Sequence, residues 1–133
     1  MIAAGHQSKA ERIEASLAKC RADEYEAVIE ATMLAATHWF NVALHAMELT
    51  APQDDVLHAE YMTGAQRLKL SLIEPALLQA LDFIEHSRAG HVRGNLEGGV
   101  EVADECRNRL SIIREVALNA TSFRRPNSTQ LAP

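Results

Sequence analysis

From Ala31 to Met47 the chain carries no formally charged residue, and its apolar residues fall at helical spacing on two adjoining stripes. One stripe is Tyr25, Ile29, Ala36, Phe40, Ala43 and Met47. The other is Val28, Ala35, Trp39, Val42, Ala46 and Leu49. A helix that is apolar nearly all round must be covered on most sides, so it belongs at the centre of a bundle or in a subunit interface. The pattern places this helix at about Glu24 to Thr50, before Pro52 stops it. At 1.5 Å per residue it would be a rod roughly 40 Å long.

The other segments supply the covering helices. Ser8-Lys9-Ala10-Glu11 has the form of a capping box, followed by the stripe Ala10, Ile13, Leu17, Cys20. Asp23 with Glu26 repeats the cap pattern, yet no Gly or Pro separates the two helices, so they are either two rods or one bent one. Between Gln53 and Leu70, Asp54 or Asp55 is placed to cap a short helix holding Val56, Leu57 and Tyr61, which Gly64 interrupts. Ser71 to Pro75 reads as a further start, with proline tolerated in the first turn. Ile73, Leu77, Ala80 or Leu81, and Ile84 carry that helix to about Arg88. Gly90, Gly94, Gly98 and Gly99 mark a loop. A last helix, about Val100 to Thr121, turns Ala103, Cys106, Leu110, Ile113 and Ala117 inward. The expected fold is all-α: one domain over 1–133, an antiparallel bundle of four main helices plus a short irregular helical segment. Its core spans about 8–121, with a flexible tail over 122–133.

Charge narrows the function classes. Thirteen basic residues against eighteen acidic ones give a net charge of -5, which disfavours DNA as a partner because phosphate binding is mostly electrostatic. No stretch reads as a membrane span of roughly 18 uncharged apolar residues, and the first ten residues lack the form of a signal peptide. Cys20 and Cys106 sit on apolar stripes with no C-x-x-C pair, which fits a cytoplasmic protein with reduced thiols.

Two constellations carry possible chemistry. His38, Asn41, His45 and Glu48 are three, four and three apart, on one face of the central helix. Polar groups on so apolar a helix are costly unless paired. Either they bond to a neighbouring helix, loop or subunit, or they form a ligand or metal site, with His45 and Glu48 sharing an ion and His58 as a third ligand. The Glu-x-x-His pairs of carboxylate bundles and the zincin motif are both absent, so no metal and no cofactor is assigned. The second constellation is the segment from His86 to Asn95, where Arg88, Arg93, His86 and His91 lie among glycines. Arginine forks there, with Arg67, suit anions. The candidate ligand-binding set is therefore His38, Asn41, His45, His58, Arg67, Arg88 and Arg93. No serine or cysteine has the setting of a nucleophile, so catalytic residues stay unassigned.

The segment Ala31 to His45, and the order of a long helix, an irregular stretch, a helix ending in Ile84 to Gly94 and a last helix with Ala103 to Ile113, resemble HEPN-type helical domains. That resemblance covers about residues 8 to 120. It implies a homodimer with a polar groove for a nucleotide or an RNA end. The ribonuclease motif of such domains, an Arg followed four to six residues later by His, is missing: Arg88 precedes His91 by only three. The expectation is thus a dimeric, non-catalytic binding module. The alternative is an enzyme or sensor that uses the His38, Asn41 and His45 face.

Overall fold

The computed structural model describes residues 1–130, with side chains as far as residue 122. Five helices follow in order: α1 (Ala3–Leu17), α2 (Tyr25–Ala46), α3 (Gly64–Ile73), α4 (Pro75–Ser87) and α5 (Gly99–Gln130). A 3-10 turn (Ala59–Tyr61) precedes α3, and a π-helical turn (Arg88–Arg93) follows α4. Among the described residues there is no strand, and the all-α bundle expected from the sequence is what forms. The last helix runs on to Gln130, nine residues past the expected end at Thr121, so most of the expected tail is helical backbone, and 131–133 lie outside the described residues.

α2 is the central rod. It packs most extensively on α5 and α1, and also on α4. Both apolar stripes are used: Ile29, Ala36, Phe40 and Ala43 are buried, and so are Val28, Ala35, Trp39 and Val42. Each large side chain contributes about 1.5–3 kcal/mol of burial. By length and composition α2 would also pass for a membrane-crossing helix. Here its apolar girth is absorbed by three neighbours of the same chain, so that girth does not itself call for a second subunit. From α5, Ala103, Cys106, Leu110, Ile113 and Ala117 all enter the core, as their spacing predicted. Glu14 ties three helices together: its carboxylate accepts from the Trp39 indole N–H at 2.7 Å and also pairs with Arg114 of α5.

Several element boundaries differ from the sequence reading. α1 begins at Ala3, ahead of the Ser8 capping box, and its cap residue Ile2 offers no side-chain bond. Tertiary bonds made by His6 hold that extra turn. α1 and α2 are two helices. The Asp23 cap is not made; the Glu24 carboxylate instead accepts from the Arg21 N–H at 2.7 Å in the connecting turn. α2 ends at Ala46, four residues early. Leu49 N–H reaches back to Leu44 O at 2.9 Å and Glu48 N–H to His45 O at 3.1 Å. That is a Schellman ending, with Glu48 in the left-handed position at φ 58°. No helix is capped by Asp54 or Asp55. Gly64 opens α3 rather than interrupting a helix, and the realised capping box there is Thr63 with Gln66. Pro75 does start α4. The glycine-marked loop begins as a π-turn closed by Gly94 N–H to Ala89 O at 3.0 Å. A Cβ on Gly94 would lie 2.7 Å from Gly90 O, so only glycine fits there.

The two thiols differ in setting. Cys106 is wholly buried and its pKa is pushed up, first by burial, while Cys20 is partly exposed. We expect a thiol-reactive chromogenic reagent to modify one cysteine per folded chain, at Cys20, and the second only after unfolding. Equal rates for both in the folded protein would contradict this packing.

Candidate metal and ligand site

The site begins with an amide. Asn41 is wholly buried on α2. Its Nδ2 donates to Val56 O at 2.7 Å and to Thr37 O at 2.9 Å, and its Oδ1 accepts from Val56 N–H at 2.7 Å. The side chain thus pairs with both backbone groups of Val56, as a neighbouring strand would. The irregular chain after α2 is fixed to the helix at that point, and the residue just before it, Asp55, is turned toward the histidines.

Asp55 gathers those histidines. Its Oδ1 lies 2.8 Å from His6 Nε2 and 3.0 Å from His45 Nε2. Its Oδ2 accepts from the Met1 amino group at 3.1 Å. His6 comes from α1, His45 from the last turn of α2 and Asp55 from the irregular segment, and both rings are nearly buried. The far nitrogens are also engaged. His6 Nδ1 is 2.9 Å from His38 Nδ1, and His45 Nδ1 is 2.7 Å from Thr50 Oγ1. Burial would raise the Asp55 pKa, but hydrogen bonds from His6, His45 and the amino group outweigh it and hold the carboxyl well below the usual carboxylate range. The His38 pKa is lowered, first by burial and then by the His6 ring and Lys9, against the pull of Asp55.

Six of the seven residues chosen from sequence line two adjoining clefts. His38 and Asn41 line a cleft of about 510 Å³, together with His6 and Asp55. His45 belongs to the same cluster but does not reach the cleft wall. Arg67, Arg93, His58 and Arg88 line a second cleft of about 710 Å³, and His58 and Arg88 line both. Arg88 Nε donates to Glu30 at 2.7 Å; Arg67 faces Asp82 at 3.5 Å and donates to Ala59 O; His58 stands 3.5 Å from Glu85. His58 therefore does not join His45. Glu48, which lies beyond the helix end in a left-handed turn, is not in the group that gathers around His45. His6 and Asp55 take those places, and the sequence reading had named neither as a site residue.

The ligating atoms of His6, His45 and Asp55 all lie within 4.8 Å of one another. A tetrahedral ion bound at about 2.0–2.1 Å has ligand atoms roughly 3.3 Å apart, so the two separations from Asp55 Oδ1, 2.8 and 3.0 Å, need open by only a few tenths of an ångström. Two imidazoles and one carboxylate suit first-row divalent ions such as zinc or iron(II), and leave coordination positions open. Thr50 and His38 stand where partners of metal-bound histidines stand, on the far ring nitrogens. Compared with known families, characterised proteins and solved structures, the chain matches none.

Replacing Asn41 with Ala strands the Val56 N–H and C=O, each costing about 1–3 kcal/mol when buried and unpaired. We expect Asn41→Ala to destabilise the fold by roughly 2–4 kcal/mol in denaturant unfolding, against well under 1 kcal/mol for the exposed Leu72→Ala. Equal stabilities would show that the pairing does not hold the segment.

Proposed function

We propose that the protein is a mononuclear metal-binding bundle, with a divalent transition ion held by His6, His45 and Asp55 and open to the 510 Å³ cleft. The observation that supports this most is convergence. Three ligand atoms from three separate elements meet around one point, two of them on buried rings that have second partners already in place. The cluster develops the alternative raised by the His38, Asn41 and His45 face, with His38 and Asn41 as positioning residues. Unpaired Cys20 and Cys106 support a cytoplasmic setting.

Zinc titrated calorimetrically into chelator-treated protein should bind one equivalent with a Kd of about 1 µM or tighter. His45→Gln and Asp55→Asn, both near in shape, should weaken it at least ~100-fold, and His58→Gln should leave it unchanged. Cobalt(II) should give the absorption of a nitrogen and oxygen site. Binding that survives both ligand variants would place the ion elsewhere, and absence of binding would end this reading.

A second reading draws on the larger cleft. Arg67, Arg88 and Arg93 line it together, and Arg93 makes no ion pair among the described residues. That supports the nucleotide- or RNA-binding module implied by the HEPN-type resemblance, as does a possible homodimer through the exposed Leu68, Leu72 and Ile73 of α3. Binding of a nucleoside monophosphate that is lost in Arg93→Gln, and a doubled mass in light scattering that is lost in Leu72→Gln, would favour it over the metal reading.

A further inference from the structure

The cleft over the metal cluster is built unevenly. His6, His38 and Asp55 meet at one part of it, and Met33, Leu34, Leu57 and Met1 supply apolar wall. Leu34, Leu57 and Met1 are exposed large apolar side chains, and all three line this one cleft. Single exposed leucines need no explanation, but several converging on a cleft that ends in buried polar groups form the usual lining of a small-molecule site. At about 510 Å³ the volume falls within the range of such sites.

Charge fixes the other end of the ligand. A dication at His6, His45 and Asp55 is matched by the single carboxylate of Asp55. Arg88 at the rim is matched by Glu30 at 2.7 Å, and the Met1 amino group adds positive charge beside Asp55. Positive charge is in excess where the coordination positions are open, and Glu30, the other carboxylate lining the cleft, is engaged by Arg88. The larger cleft offers no comparable pairing of ends: it carries Glu60, Asp82 and Glu85 among its arginines, and its wall is more polar.

Resting on the metal reading, we infer that this cleft takes a small monocarboxylate with an apolar body. The ligand's carboxylate completes the coordination of the ion held by His6, His45 and Asp55. Its chain lies along Met33, Leu34 and Leu57, and Arg88 bounds the entrance.

The test is calorimetric titration of octanoate, with acetate and 1-octanol as controls, into zinc-loaded and chelator-treated full-length protein. Zinc affinity is measured separately for every variant. Octanoate should bind the zinc-loaded protein at least roughly tenfold more tightly than acetate or octanol, and should weaken by a similar factor when zinc is removed. The double variant Leu34→Gln with Leu57→Gln alters two side chains already exposed, so it should fold. It should lose octanoate binding roughly tenfold while holding zinc as before. Zinc binding without preference for octanoate over acetate, or unchanged octanoate binding in the double variant, overturns the inference and leaves the metal site standing. Octanoate binding that ignores zinc overturns the metal-anchored form. Failure of zinc to bind at all overturns the proposed function and this inference with it.

Discussion

The pairing of Asn41 with the backbone of Val56 is the constraint on which the site depends. Helices hold themselves, because their backbone groups are satisfied locally. The stretch from Thr50 to His58 has no such ladder, and any backbone group it buries needs a partner from elsewhere. Asn41 supplies two, from a position with no exposure to solvent. Further ties hold the same stretch: the Met1 amino group to Pro52 O at 2.9 Å and Ala59 N–H to Glu85 at 3.2 Å. With its flanks fixed, Asp55 meets two rings on different helices without a helix of its own. An aspartate on a loose loop would lose that geometry to conformational entropy.

The ending of α2 works in the same direction. Continued to Thr50, the helix would carry the chain away from His6. The left-handed turn at Glu48 ends it at Ala46, brings Thr50 beside His45 and sends the following residues back toward α1. A non-glycine residue in that conformation costs about 1 kcal/mol. The cost is offset locally, because the two reverse hydrogen bonds of the Schellman ending satisfy carbonyls that would otherwise be left open.

This explains which parts were legible in the sequence. Two apolar stripes on one helix fix its central place whatever surrounds it, and the inward residues of α5 follow from spacing alone. His38, Asn41 and His45 stood out because polar groups on such a helix demand partners. Their partners were harder to find. Asp55 reads naturally as a helix cap, and nothing local says that its carboxylate turns to histidines ten and forty-nine residues away. His6 did leave a signal: it extends the stripe of Ala10, Ile13 and Leu17 one turn backward. The Ser8 capping box obscured it, since a helix starting there would exclude His6. Local cap chemistry of about 1 kcal/mol gave way to a buried cluster that ties α1 to α2. Arg88 was chosen as an anion-binding group and His58 as a third ligand for an ion, and only the fold could show that both stand between two clefts.

The hydrogen bonds of the cluster also bear on how it would take the proposed ion. Asp55 is ionised, so His6 and His45 must each present Nε2–H to it. With both rings neutral, their Nδ1 atoms accept from His38 Nδ1–H and from the Thr50 hydroxyl. Replacing the two Nε2 protons with one dication reverses the outer pairs. His6 Nδ1–H donates to His38 Nδ1, and His45 Nδ1–H donates to Thr50 Oγ1. Both partners can take either role, because a neutral imidazole and a hydroxyl each can donate or accept. No buried nitrogen is stranded. The change would include proton movement and a few tenths of an ångström of opening at Asp55 Oδ1. An ionised carboxylate in place of His38 or Thr50 would fix one direction of the outer bonds. Imidazole and hydroxyl keep both directions available, so the same side chains can serve the cluster with protons or with a metal.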